Sequence, residues 1–117
     1  MRKSLAKVRV MYWKEVPVQV QASDDKGTVS VLLDDRFQEA ADALAMMDGS
    51  AGTDQYLMAW EWGDYVCMNG SAADISSKTA DRINSGMPQD FVARIRDLEN
   101  DGKRDPKPGA IDTWIKD

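Results

Sequence analysis

Five aromatic residues, Tyr12, Trp13, Tyr56, Trp60 and Trp62, are the side chains whose types and spacing could support chemistry. Such rings could form a cage or a stacking platform for a ring-shaped or cationic ligand. Tyrosine hydroxyls and carboxylates could also move protons. Tyr12, Tyr56 and Trp60, with Trp13, therefore define one candidate pocket, suited to a small-molecule binder or a minor enzyme. Against catalysis stands the complete absence of histidine. That absence removes the commonest general base and metal ligand, and it excludes serine–histidine and cysteine–histidine nucleophile pairs. The single Cys67 lies in the apolar run Tyr65–Met68, where a buried, inert thiol is expected. One cysteine without histidine makes no structural zinc site. Asp97, Glu99, Asp101 and Gly102 match the opening of a calcium loop, but the closing glutamate would fall on Pro108 and the apolar anchor on Arg104. A charged helix end with a glycine stop accounts for them better. No metal and no cofactor are expected.

The totals point the same way. The net charge is −5 over 117 residues, which disfavours nucleic acid and anionic membranes as partners. The length fits one domain with a core of its own. A lone cysteine allows no intrachain disulfide and suits a reducing compartment. Lys7 and Arg9 interrupt the N-terminal stretch, so neither a signal peptide nor a membrane span is expected, and the placement is cytoplasmic.

The elements that must position the aromatic residues follow from periodicity. Residues 7–13, 16–22 and 29–33 alternate apolar and polar, as strands with one buried face do. Pro17 suits an edge or a strand start, and Ser23–Gly27 reads as a turn. Asp34 or Asp35, with Gln38, predicts a capped helix. Phe37, Ala40, Ala41, Leu44 and Ala45 form its inner stripe. Thr53 or Asp54 opens a second helix, with Tyr56, Leu57 and Trp60 inward and Gly63 as its stop. Tyr65–Met68 reads as a fourth strand. Ser71 with Asp74 caps a helix over about 72–85, and Pro88 starts a last one carrying Phe91, Val92, Ile95 and Leu98. The fold class is α+β: a small antiparallel sheet of three or four strands with helices on one face. Residues 1–102 form the domain, and 103–117 a charged linker and apolar tail.

Three landmarks, Tyr12-Trp13-Lys14-Glu15-Val16-Pro17, Arg36-Phe37-Gln38-Glu39-Ala40, and Ala51-Gly52-Thr53-Asp54-Gln55-Tyr56-Leu57 with Trp60, resemble the bacterial virulence-factor domain family in order and spacing. The resemblance covers about residues 6–100. The chain departs from the family pattern at Glu61 and Trp62, where basic residues would follow, and beyond Gly102, which reads as an extension. The resemblance carries no catalytic residue across. It implies a small stand-alone bacterial protein with an accessory role, linked by family context to folate- and corrinoid-dependent one-carbon metabolism.

Each aromatic also has a plainer use in a sheet–helix core. Tyr12, Tyr56 and Trp60 fall on inner faces. Trp13 alternates away from Tyr12, and Trp62 lies off the helical face of Trp60, so at least one of the two should be exposed. Tryptophan concentrates at interface centres. Trp13 and Trp62, with Ile111, Trp114 and Ile115 of the tail, are thus the expected partner-binding residues. Met46, Met47, Met58, Met68 and Met87 read as core fillers before they read as an adaptable surface. The leading expectation is a non-catalytic accessory or protein-interaction module. Its partner is another protein or a second copy of the chain.

Overall fold

The computed structural model describes residues 5–117. The three alternating runs become β1 (Leu5–Trp13), β2 (Val16–Asp24) and β3 (Gly27–Leu32), paired antiparallel in chain order. Val8 opposite Ala22 and Val10 opposite Val20 build the apolar face. The opposite face stays polar, with Arg9 Nε donating to Gln21 Oε1 at 2.9 Å. The register slips once: Met11 faces Gln19, but Tyr12 faces Pro17. Val18 is the extra residue of this bulge, and its carbonyl accepts from Leu33 N at 3.0 Å instead. Pro17, which has no amide to donate, sits where the ladder is already irregular.

Helix α1 (Asp35–Asp48) buries Phe37, Ala40, Ala41, Leu44 and Ala45, as its periodicity predicts. The expected capping box does not form. Asp34 makes no side-chain cap bond, and Gln38 reaches forward to Asp42 rather than back. Helix α3 (Ala72–Gly86) is capped by the Ser71 hydroxyl, which accepts from Asp74 N, and it turns Ile75, Thr79 and Ile83 inward. Helix α4 (Phe91–Asn100) begins three residues after Pro88. The carbonyls at this corner are claimed by Arg36, whose guanidinium donates to Asn84, Met87 and Pro88. The Phe37 and Phe91 rings stack at 5.3 Å and join α1 to α4. Asp101 and Gly102 end α4: Gly102 takes φ +70°, with Gly102 N donating to Glu99 O and Lys103 N to Leu98 O. This is a Schellman stop.

The second helix is shorter than its sequence signal. Helix α2 covers only Asp54–Met58, and the chain then becomes β4 (Trp60–Trp62), antiparallel to Met11–Trp13. The free edge of β1 captures this segment: Lys14 N donates to Ala59 O at 3.1 Å and Gly63 N to Val10 O at 2.8 Å. Gly63 is therefore a ladder residue and not a helix stop. β5 (Val66–Asn69) pairs with Leu5–Val8 on the same side of β1. The result is an α+β fold with a five-stranded antiparallel sheet, order β3-β2-β1-β4, with β5 also on β1. Helices α1 and α3 pack on the sheet, and α4 packs on α1.

Residues 103–117 fold back onto this body. Ile111 is buried in the core, a 3-10 turn spans Asp112–Trp114, and Lys116 N donates to Gly86 O at 3.0 Å. Gly86 makes that approach possible, because a Cβ there would fall on the Lys116 carbonyl.

Candidate interaction surface

The aromatic residues do not share a pocket. Trp13 is fully buried: its indole N–H donates to Tyr56 O at 3.0 Å, and its ring lies 5.6 Å from that of Tyr56. Tyr56 in turn meets Trp60 edge-on at 6.1 Å. These three rings fill one another's surroundings, as core aromatics do. Trp13 is therefore not available as a partner contact. Tyr12 points away from that cluster and donates its hydroxyl to Asp112 Oδ2 at 2.8 Å. Burial, then the Asp112 charge and this hydrogen bond, push the Tyr12 phenol far above its ordinary range. It is fixed as a neutral donor and not as a base.

The turn after Trp13 holds the most charged site of the interior. Lys14 adopts φ +51°, a left-handed conformation that costs a residue with a side chain. Glu15 is buried there and is gripped by Arg104 at both oxygens, at 2.7 and 2.8 Å. Arg104 also donates to Asp48 at 3.1 Å, and Lys14 donates to the same carboxylate at 2.6 Å. Burial raises the Asp48 pKa, but hydrogen bonds from Lys14 and Ser50 and the Lys14 charge outweigh it and hold the carboxyl at about 2. Two cations and two anions thus close a neutral quartet over the β1–β2 turn, the end of α1 and residue 104. The fork geometry is that of a structural clamp. The sequence offers no signal for it, because Arg104 lies in a stretch that reads as linker.

The tail residues dock on their own domain. Ile111 is buried, while Trp114 and Ile115 are half-buried against the same core. Trp62 is half-buried on the polar sheet face, where the Arg9 guanidinium lies 3.9 Å from its ring and 4.6 Å from that of Tyr65. Of the residues expected to meet a partner, only Trp62 adjoins an open surface of the sheet.

That surface is the strand edge that follows it. Every residue of β5 is exposed, Val66 by 56 % and Met68 by 40 %, with Leu5 and Tyr65 exposed beside them. Cys67 is exposed here too, not buried, because β5 is an outer strand that no helix covers. Met46 and Met58 are likewise on the surface, whereas Met87 fills the core. Beneath the β5 edge runs a groove of about 560 Å³ with Val8, Val10 and Tyr12 in its floor, flanked by Val66, Met68 and Asp112. Monomeric proteins rarely leave a strand edge both apolar and unguarded.

Among the described residues, no group of three or more acidic, cysteine or histidine side chains is placed to hold a metal ion. No described helix is long and apolar enough to cross a membrane. A family model described as Virulence factor matches residues 11–95. The match takes in all three landmark segments and stops short of Arg104 and the docked tail. No curated protein and no solved structure matches the chain.

Proposed function

The chain belongs to the virulence-factor family, and from that membership and the geometry above we propose that it is a non-catalytic protein-interaction module, an accessory subunit of a bacterial cytoplasmic assembly. The observation that carries this reading is the β5 edge, a row of exposed Val66, Cys67 and Met68 whose outer backbone groups pair with no described strand. Sheet edges of this kind accept added strands, with affinity from the main chain and specificity from alternate side chains. The aromatic residues support the same reading by being spent on packing: Trp13, Tyr56 and Trp60 hold the fold and leave no cage. A link to one-carbon metabolism rests on family context alone and adds a place to look for the partner.

The test is affinity purification from the native host, with the unmodified chain and a Val66→Lys/Met68→Lys variant side by side. Both positions are exposed, so the variant should fold with an unchanged melting temperature while losing the proteins that the unmodified chain retains. Equal recovery from both would remove β5 from the function. A second reading, a small-molecule binder, draws on the groove beside Tyr12, whose volume of about 560 Å³ lies within the range of ligand sites. A metabolite that raises the melting temperature of the unmodified chain, and less so that of Tyr12→Phe, would favour it.

A further inference from the structure

We infer that the outer face of the sheet, the one turned away from the helices, is a docking surface for an acidic segment of a partner protein, with Arg9 as its carboxylate receptor. This face is separate from the β5 edge, and the inference does not depend on that edge.

The first observation is a charge asymmetry. Every second residue from Leu5 to Met11, from Gln19 to Ser23 and from Thr28 to Leu32 points to the outer face, because the alternate residues Val8, Val20 and Ala22 are buried on the helix side. None of these outer residues is buried. They include two cations, Lys7 and Arg9, and no acid, although the chain carries 20 Asp and Glu and a net charge of −5. The β5 residue opposite Lys7 is Cys67, which brings no acid either. Among the described residues, neither Lys7 nor Arg9 makes a salt bridge. Asp25 and Asp64, in the connections beside this face, pair with neither.

The second is the way Arg9 is held. Its Nε donates to Gln21 Oε1 at 2.9 Å, and its central carbon lies 3.9 Å from the centre of the Trp62 ring and 4.6 Å from that of Tyr65. These contacts use one nitrogen and the flat faces of the guanidinium. Among the described residues, no acceptor takes either Nη nitrogen. The end of the guanidinium therefore presents the two-pronged fork that a carboxylate accepts. The side chain is already fixed, so little rotamer freedom is lost when a ligand binds. Lys7 stands two residues away on the same face, at about 7 Å, the spacing of alternate side chains in an extended segment. Exposed Leu5 and Leu32 and part-exposed Met11 add apolar surface around the two cations.

These features favour a protein segment over a nucleic acid. Two cations are too few to hold a phosphate backbone against a net charge of −5. Arg9 also covers the two rings on which bases would stack. An extended segment with carboxylates at alternate positions, and aliphatic residues at the next alternate positions on either side, meets Arg9, Lys7 and the apolar margin together.

The experiment titrates the full chain with an end-capped heptapeptide, Leu-Thr-Glu-Thr-Glu-Thr-Leu, and with its twin carrying glutamine in place of both glutamates, followed by nitrogen–proton correlation NMR. The glutamate peptide should shift the Arg9 Nε–H and Trp62 indole N–H signals saturably. It should bind about tenfold more tightly than the twin, the effect of a charge-assisted hydrogen bond. Arg9→Gln, at a position that is not buried, should keep the fold and bind the two peptides equally weakly. Lys7→Gln, at an exposed position, should lose part of the preference, and it tests the same face should Arg9→Gln fail to fold. Equal affinity for the two peptides, no saturable shift up to about 1 mM, or shifts confined to the groove beside Tyr12 would each overturn the acidic segment. Tighter binding of a uridine hexanucleotide than of the glutamate peptide would overturn it in favour of nucleic acid. A dimer in sedimentation that Arg9→Gln dissolves would overturn it in favour of a second copy of the chain. The two surfaces fail separately. If Val66→Lys/Met68→Lys loses its native partners but the unmodified chain shows no preference for glutamate, only the outer face falls. If that variant keeps every partner while Arg9→Gln loses the preference, only the edge falls.

Discussion

Glu15 is the buried acid at the centre of the charged quartet. It is 1 % exposed, and burying a carboxylate there is costly without its fork from Arg104. Glu15→Ala or Arg104→Ala should each cost about 3–5 kcal/mol in urea denaturation, because each strands a buried partner. The double variant should cost less than the sum, since the second change removes the charge that the first left bare. Asp48, held at about 2 against its ordinary 3.8, ties the quartet to pH. Its folded pKa is lowered, so its contribution is fully present above 3.8 and is lost as pH falls through about 2. Thermal melts between pH 5 and 2 should therefore decline less steeply for Asp48→Asn than for the unmodified protein. Trp13 was the harder residue to read. Its alternation away from Tyr12 predicts exposure, and it is the cover from Tyr56 that buries it.

At the scale of elements, the docked tail makes one close backbone contact with α3. Gly86 is buried beneath Lys116, and a Cβ there would meet the Lys116 backbone and Ile115. Gly86→Ala should destabilise the protein by about 1–3 kcal/mol and raise hydrogen exchange at residues 111–116, while the sheet amides stay protected. If exchange rises evenly across the chain, the tail is not a separate layer. The helices α1 and α3 and the strands β1 to β3 were legible because each carries its own period of apolar residues along most of its length. β4 was not. Tyr56, Leu57 and Trp60 fit a helical stripe, yet Leu57 is exposed and Trp60 is in a strand. Three residues are too few to declare a period, and their pairing to β1 is a tertiary choice. The α4 stop at Gly102, in contrast, is local chemistry and could be read directly from the sequence.

For the whole molecule, the boundary of recognisable sequence and the boundary of the folded body differ. The family match ends at residue 95, yet Glu15 is answered by residue 104 and Tyr12 by residue 112. A chain cut after residue 102 should lose much of its stability, by about the cost of Arg104→Ala together with the packing of Ile111. Recovery of full stability on adding back residues 103–117 as a separate peptide would show that the segment works by docking alone. The candidate surface was the least legible feature at this scale. Exposure of Val66 and Met68 follows from where five strands end, which no local pattern encodes.

The clamp across the first hairpin also sets an order of events during synthesis. The β1–β2 hairpin leaves the ribosome early, but the guanidinium that neutralises its acidic turn emerges some ninety residues later, Glu15 and Arg104 being 89 positions apart. Until then the nascent hairpin must keep Glu15 in water, and so cannot close its turn against the end of α1. Closure of this turn is therefore timed by the arrival of residue 104.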